Sequence, residues 1–364
     1  MSARTPLDAT AADLALEVEV ESAQIAAWSG DWAPALAAAT RAYRRAGALE
    51  SEDPSDLRWS RRKADAIVRM LVPLAKAGDL TEARRRHREG EAILARETAA
   101  DPTDERWAER TTLLAIRMAD ALIHAGEHAE ALKHLDAGYT TAARLAERDP
   151  SNGRRIHILV DLTDRRSAAY GRLGERERAL AERRLNVELA ERLAARDPAN
   201  SVWRMIRAFD RQRLAEALEG VRDYAGARDA YEASWGLLGP LATEFPSDAS
   251  VRLSAGLTLL GAGRNHVRLG DRAAGLERMR RAIAALAASA VAVPDSELPY
   301  RTAQAREELA VTLDPAVEAE RVEAIESLES AIDWTRAVLA RKSDDFALAM
   351  RARLERRLDG LRRG

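Results

Sequence analysis

The stretch "ERDPSNGRR", residues 147–155, returns along the chain in related forms. Its counterparts are "AADPTDERW" at 99–107, "ARDPANSVW" at 195–203 and "TEFPSDASV" at 243–251. The prolines in these stretches belong to a series whose neighbours are 48 residues apart: Pro6, Pro54, Pro102, Pro150, Pro198, Pro246 and Pro294. Lys342 occupies the next position of this series. A turn that recurs at a fixed interval indicates a chain built from repeated structural units.

A second series lies 24 residues after the prolines, where an acidic residue follows each glycine: Gly30, Gly78, Gly126, Gly174 and Gly270. Arg222 and Glu318 stand at the two remaining points. Apolar residues recur at spacings of three and four on both sides of the glycine, a period typical of α-helices. Glycine adopts the left-handed conformation that ends a helix, and proline prevents a second helix from continuing. Each unit is therefore predicted to be a helical hairpin.

Small residues mark fixed positions around the central glycine. "ADALIHAGEHAEAL" (119–132) and "RSAAYGRLGERERAL" (166–180) both place one seven residues before the glycine and another five residues after it. Together with the closing Asp-Pro, this pattern resembles the tetratricopeptide repeat (TPR) superfamily, in a long-period bacterial form, because the usual TPR period is about 34 residues. The resemblance implies an all-α, right-handed solenoid or superhelix of TPR-like hairpins with a concave groove that binds other proteins.

The register predicts one TPR-like domain over residues 1–364, with seven hairpins and a C-terminal cap helix. The hairpins are predicted at 6–53, 54–101, 102–149, 150–197, 198–245, 246–293 and 294–341, and the cap helix at 342–364. Pro73 is predicted to kink a first helix, and Gly239-Pro240 to interrupt a second helix. The seventh hairpin has lost its glycine and contains Pro299 and Pro315. This irregularity indicates either drift near the end of an array or a bent wall that shapes a pocket.

Composition excludes several classes of function. The chain has no cysteine, so disulfides, thiolate metal sites and a cysteine nucleophile are ruled out. The formal net charge of −2 provides no general attraction for nucleic acid or an anionic membrane. No apolar run is long enough to span a bilayer, which favours a cytoplasmic protein. We expect no catalytic residues, no metal and no cofactor.

Two groups of residues nevertheless suggest chemistry. His124 and His128 have the spacing of metal ligands on one helix, but Gly126 between them is predicted to end that helix. Trp59, Trp107 and Trp203 share one register position, where stacking on nucleotide bases is an alternative to packing between repeats. Repetition at one position favours packing for the tryptophans, and the predicted turn argues against a zinc site.

The resemblance places the partner-binding groove on the first helices of the hairpins. Its positions are predicted to be Gln24, Asp120, His124, Asp164, Arg172, Gln212, Glu216, Arg264 and Arg268. The early positions tend to be acidic and the later ones basic, so a partner of complementary charge would be oriented along the groove. The leading hypothesis is a non-catalytic scaffold that binds a protein or peptide segment. The alternative is a regulatory sensor that binds a small ligand or controls a signalling kinase or protease. The oligomeric state is left open.

Overall fold

The computed structural model describes residues 6–292, 297–340 and 344–363. Register points Pro294 and Lys342, and with them the start of the seventh predicted hairpin, lie outside the described residues. The helices are α1 (Pro6–Trp28), α2 (Trp32–Glu52), α3 (Leu57–Lys76), α4 (Leu80–Ala100), α5 (Glu105–His124), α6 (His128–Arg148), α7 (Gly153–Arg172), α8 (Arg176–Arg196), α9 (Ser201–Gly220), α10 (Tyr224–Glu244), α11 (Ala249–Arg268), α12 (Arg272–Ala292), α13 (Leu298–Thr312), α14 (Glu318–Leu339) and α15 (Asp345–Arg363). Helices α1 to α14 pair into hairpins, and α15 follows as the predicted terminal helix.

The Asp-Pro turn ends one hairpin and caps the next. In the stretch 147–155, Asp149 Oδ1 accepts a hydrogen bond from the Ser151 backbone N–H, and Asn152 Oδ1 accepts one from the Arg154 backbone N–H. Asn152 is therefore the N-cap of α7, a role that a side-chain amide oxygen performs well. Helices α3, α5, α7, α9 and α11 all begin three residues after a proline of the series.

The turn between the two helices of a hairpin depends on a left-handed residue. Gly126 has φ +82°, and the other four glycines of its series also have positive φ. Arg222 adopts φ +66° at the corresponding point of the fifth hairpin, the one such non-glycine residue in the described parts of the chain. At Glu318 the rule does not apply, because α14 begins there after a longer connection. The left-handed turn is therefore present at the five glycines and at Arg222, but not at Glu318.

We expect the substitution Arg222→Gly to raise the free energy of unfolding by about 1 kcal/mol, because left-handed backbone costs a non-glycine residue about 1–2 kcal/mol and glycine's greater freedom when unfolded offsets part of the gain. Urea denaturation measures this change. The comparison variant is Gly171→Ala, which also exchanges glycine and a larger residue but at a position outside the left-handed turns. Gly171 has no positive φ, and the space around its Cα is open. A loss of stability in Arg222→Gly would contradict the prediction.

The structure corrects the interruption predicted at Gly239-Pro240, whereas the kink predicted at Pro73 stays a prediction. Gly239-Pro240 does not interrupt α10, which continues to Glu244. Leu238 and Leu241 flank the proline and are both buried, so packing holds the last turn helical although Pro240 supplies no N–H. Pro73 lies inside α3 as expected, and its side chain is buried. The seventh hairpin is irregular in that α13 has only 15 residues.

The chain folds into two compact units, Met1–Leu189 and Ala190–Gly364. In the first unit, the first helices α1, α3 and α5 lie side by side, and Trp59 of α3 and Trp107 of α5 are buried. In the second unit, α9, α11 and α13 do the same, and α15 buries Leu354 and Leu358 against that unit's core. That the whole chain is one right-handed superhelix stays a prediction.

Candidate functional site

Small residues bring the two helices of a hairpin together, as the sequence predicts. The Ser167 hydroxyl of α7 donates a hydrogen bond to the Ala179 carbonyl of α8 over 2.9 Å. In the sixth hairpin a Cβ added at Gly275 would lie 2.8 Å from the Gly263 carbonyl oxygen. Gly263 belongs to the Gly-x-Gly of "GAGRNH" (261–266), and its function is this close helix contact. In these two hairpins the first helix therefore packs closely against the second.

Ion pairs connect the first helices of successive hairpins. Arg62 Nε lies 2.6 Å from Asp13 Oδ1, and Arg110 Nε lies 2.9 Å from Asp65 Oδ1. The same arrangement recurs further along the chain, between Arg165 and the predicted site residue Asp120, at 2.7 Å. These pairs join adjacent hairpins, and they neutralise charges that the sequence pattern assigned to a partner.

In the second unit the predicted basic residues are also paired. Arg264 Nε lies 2.7 Å from Glu219 Oε1, and Arg264 Nη1 lies 2.9 Å from Glu308 Oε1. Arg268 pairs with the same Glu219 and stacks over the Tyr224 ring, 4.9 Å from its centroid. Neither arginine is an uncompensated charge.

A first cavity, the N-terminal pocket, lies on the first-helix face of the Met1–Leu189 unit and has a volume of about 230 Å³. Its lining comes from α1, α2, α3 and α5: Gln24, Ala27, Trp28, Trp32, Val68, Arg69, Val72, Pro73, Arg117 and Asp120. Two predicted site residues, Gln24 and Asp120, are therefore brought together. The Asp120 carboxylate already pairs with Arg117 and Arg165, whereas the Gln24 side chain is buried.

Arg69 is the unusual cation of the N-terminal pocket. Its Nε is buried without a hydrogen-bond acceptor, and within the described residues no carboxylate lies at ion-pair distance from it. Burial lowers the pKa of Arg69, and the neighbouring Arg117 lowers it further, although Glu21 and Asp65 act in the opposite direction. A desolvated cation without a partner is costly, and an anionic ligand would relieve that cost.

Two tryptophans, Trp28 and Trp32, also line the N-terminal pocket. Trp28 is 76% exposed at the end of α1, and Trp32 opens α2 with Lys76 Nζ 5.2 Å from its ring centroid. An exposed indole beside an unpaired guanidinium combines the two side chains that most often dominate protein interfaces. The arrangement is suited to a ligand with both an anionic and an apolar group.

A second cavity, the C-terminal pocket, lies beside the shortened α13 and has a volume of about 600 Å³. It is lined by α11, α13 and α15, through Leu257, Leu260, Arg264, Val267, Arg268, Arg301, Gln304, Glu307, Glu308, Val311, Thr312 and Arg357. Glu307 pairs with Arg353 and Arg357, so the charges of the C-terminal pocket are largely balanced. The irregular seventh hairpin therefore borders a cavity, and that its irregularity shapes a functional pocket stays a prediction.

The other predicted site residues lie outside both pockets. Asp164 pairs with Arg183, and the Gln212 side chain donates a hydrogen bond to Glu216 over 3.0 Å. His124 and Arg172 are exposed at the ends of α5 and α7. Whether any of these residues binds a partner stays a prediction.

The histidines and tryptophans lie largely as expected. His124 ends α5 and His128 begins α6, so they do not share a helix. Within residues 6–292, 297–340 and 344–363, no group of three or more His, Asp or Glu side chains is arranged to hold a metal ion. Trp59 and Trp107 are buried, which confirms packing for these two, while Trp203 is partly exposed. None of the described helices is long and apolar enough to cross a membrane.

Sequence reasoning missed four residues of the N-terminal pocket: Trp28, Trp32, Arg69 and Arg117. The available signal was a departure from register, because Trp28 occupies the position held by Lys76, His124 and Arg172 in the next three hairpins. A large aromatic residue at a position that is otherwise polar indicates a local function at that hairpin.

No family model and no curated protein matches this sequence. Among solved structures, BtubC (BKLC) from P. vanneervenii is similar, with a TM-score of 0.53 and 18% identity over 70% of this chain and 90% of that chain. A STAND protein with a tetratricopeptide repeat sensor from Pyrococcus horikoshii matches with a TM-score of 0.47 and 10% identity, over 95% of this chain and 52% of that chain. The apo form of RapI has a TM-score of 0.48 and 11% identity, over 96% and 97%. The fold is an all-α solenoid of helical hairpins.

Proposed function

We propose that this chain is a non-catalytic protein-interaction scaffold that binds an extended peptide segment on its first-helix face, anchored in the N-terminal pocket. The unpaired Arg69 beside the exposed Trp28 carries the proposal. The segment it fits has an acidic residue for Arg69 and an aromatic or aliphatic residue for the indoles of Trp28 and Trp32. A salt bridge formed inside a partly desolvated pocket contributes more than one on the open surface.

Rigidity of the pocket supports the same proposal. The cross-hairpin pair of Asp120 with Arg165 fixes one wall, and Asp65 with Arg110 fixes the first-helix face next to it. A binding surface that is already ordered loses less conformational entropy when a ligand binds. The predicted site residue Asp120 and its neighbour Asp65 thus have a supporting role, while Arg69 makes the contact.

The test is a selection of random displayed peptides on the full chain, followed by calorimetry with the enriched sequences. We expect enrichment of an acidic residue next to an aromatic or aliphatic one. Affinity should fall about tenfold or more in Arg69→Gln and in Trp28→Ala, since buried Arg and Trp contacts commonly carry at least about 1.4 kcal/mol. Arg154→Gln is the matched control, because Arg154 is an exposed first-helix arginine of α7 that lies outside the pocket and outside the predicted groove positions.

The proposal is wrong if no peptide is enriched, or if Arg69→Gln binds the enriched peptides as tightly as the unmodified chain. Equal losses in Arg69→Gln and Arg154→Gln would also contradict it, because they would show general charge attraction rather than a site. Gln retains hydrogen-bonding capacity at position 69, so the comparison isolates the positive charge.

A sensor function is the second candidate, favoured by the C-terminal pocket. Its volume of about 600 Å³ falls in the range typical of small-molecule sites, and the half-exposed Val311 on its wall leaves it open to solvent.

A metabolite that binds only the folded chain must raise the thermal midpoint of the chain. Filling the cavity by Val311→Trp should abolish that rise, whereas Arg69→Gln should leave it intact; a rise that survives Val311→Trp excludes this pocket.

A further inference from the structure

Helix α1 is apolar on two opposite faces. Leu16, Val20 and Ala23 are buried in the core of the first unit. On the other side of the helix, four large apolar residues form an exposed stripe, the outer face of α1: Leu14, Val18, Ile25 and Trp28. A helix of a soluble protein normally exposes a polar face there, and a helix that is apolar all round is normally covered. No described residue covers the outer face of α1.

The repeat register shows what covers the same positions elsewhere. Val18 is 65% exposed, yet its counterparts Leu114 and Leu162 are fully buried. Ile25 is 59% exposed, and its counterparts Ala121 and Ala169 are likewise buried. The outer face of α1 therefore has the composition of a stacking surface between hairpins.

The covering element in the interior hairpins is the second helix of the preceding hairpin, which approaches through a glycine. A Cβ added at Gly90 of α4 would lie 3.1 Å from Leu114 Cδ1, and one added at Gly138 of α6 would lie 3.4 Å from Leu162 Cδ2. A ligand that fits the outer face of α1 is therefore a helix with a small residue at the point of contact with Val18.

Charge restricts the occupant further. Helix α1 contains five acidic residues and no basic one: Asp8, Asp13, Glu17, Glu19 and Glu21. Arg62 pairs with Asp13 and Glu17, and Arg45 pairs with Glu19, but Glu21 is exposed at the helical spacing between Val18 and Ile25. A second copy of the chain packed α1 against α1 would bury this carboxylate where α1 has no basic residue to pair with it, which is unfavourable. In the interior, Arg84 of α4 pairs with Glu127 of the next hairpin at 2.5 Å, and Asp31 is the register counterpart of Glu127. In the interior, the covering helix therefore places a basic residue next to an acidic one. At the outer face of α1, Asp31 is the corresponding acidic residue.

We infer that the outer face of α1 docks an amphipathic helix from another protein, with a small residue in its apolar stripe and basic residues on its flanks. The incoming helix takes the place that α4 holds against α5. This surface shares Trp28 with the N-terminal pocket but does not include Arg69, so the variant Arg69→Gln distinguishes it from the peptide site proposed above.

The probe is a fluorescent, lactam-stapled helical peptide with the α4 sequence Leu80–Ala100, titrated with the full chain and followed by anisotropy. The matched peptide carries Arg84→Glu, Arg85→Glu and Arg86→Glu. We expect saturable binding of the first peptide and binding about tenfold weaker or more for the second, because charge complementarity favours the basic helix. The double variant Val18→Glu/Ile25→Glu should bind the first peptide at least about tenfold more weakly than the unmodified chain.

Controls separate this surface from the proposed function and from misfolding. Arg69→Gln should bind the α4 peptide normally, and Val322→Glu, which alters an exposed valine of α14, should do so as well. The thermal midpoint of the double variant should stay within about 3 °C of the unmodified chain, since both positions are exposed. The inference is overturned by absence of saturable binding, by equal binding of the charge-reversed peptide, or by light scattering that shows a dimer dispersed by Val18→Glu/Ile25→Glu.

Discussion

Replacement of Trp107 by alanine is expected to lower the free energy of unfolding by about 3–5 kcal/mol, the usual cost of removing a large aromatic side chain from a core. Trp107 is 1% exposed and lies at the start of α5. The guanidinium groups of Arg61 and Arg110 lie over its ring, at 5.2 and 5.8 Å from the centroid. The substitution therefore creates a cavity and removes the apolar support of two cations.

Urea denaturation followed by far-ultraviolet circular dichroism measures this loss. The matched control is Trp28→Ala, which removes the same side chain from a position that is 76% exposed and should change stability by less than about 0.5 kcal/mol. A Trp107→Ala variant that loses less than about 1 kcal/mol would contradict the cavity argument. Comparable losses in both variants would show that Trp28 is also part of the core.

The hairpins could be predicted from the sequence because their boundaries are encoded locally. Gly126 ends α5 through its own backbone conformation, and Asn152 caps α7 through a hydrogen bond to a residue two positions away. Such signals need no knowledge of distant residues. The interruption predicted at Pro240 was wrong because the burial of Leu238 and Leu241 opposes it, and burial depends on elements remote in sequence.

The candidate site was less predictable because its charged residues form ion pairs with residues of other hairpins. From the sequence, Arg264 was predicted to be a basic residue of the groove that is available to a partner. In the structure it pairs with Glu219, which lies 45 residues earlier in the chain. Conversely, nothing in the neighbourhood of Arg69 in the sequence indicates that it lacks a partner, since Asp65 stands one turn before it. In the structure Asp65 pairs with Arg110 of the next hairpin instead. Only the three-dimensional pairing shows that Arg69 is left without a carboxylate partner among the described residues.

Substitution of Glu219 by glutamine is expected to cost about 2 kcal/mol, because one largely buried carboxylate accepts charge-assisted hydrogen bonds from two arginines. Arg264 keeps Glu308 as a partner, so the loss stays below that of a fully buried ion pair. Glu219 is 16% exposed and contacts Arg264 and Arg268, and the Tyr231 hydroxyl donates to it over 3.2 Å. Glu216→Gln, one turn earlier on α9, is the control: Glu216 is exposed and pairs only with Gln212 among the described residues, so a loss below about 0.5 kcal/mol is expected.

The pH dependence of this difference tests its electrostatic origin. Burial opposes ionisation of Glu219, but the hydrogen bonds and charges of Arg264 and Arg268 outweigh it and hold the pKa of this carboxyl below the ordinary value. A lowered pKa in the folded chain means that the stabilisation is complete above the unfolded pKa of about 4.3 and is lost as pH falls through the folded value. The stability gap between the unmodified chain and Glu219→Gln should therefore be constant near neutral pH and narrow below about pH 4. A gap that is independent of pH down to acid unfolding would mean that Glu219 acts through packing and that the arginines do not depend on its charge.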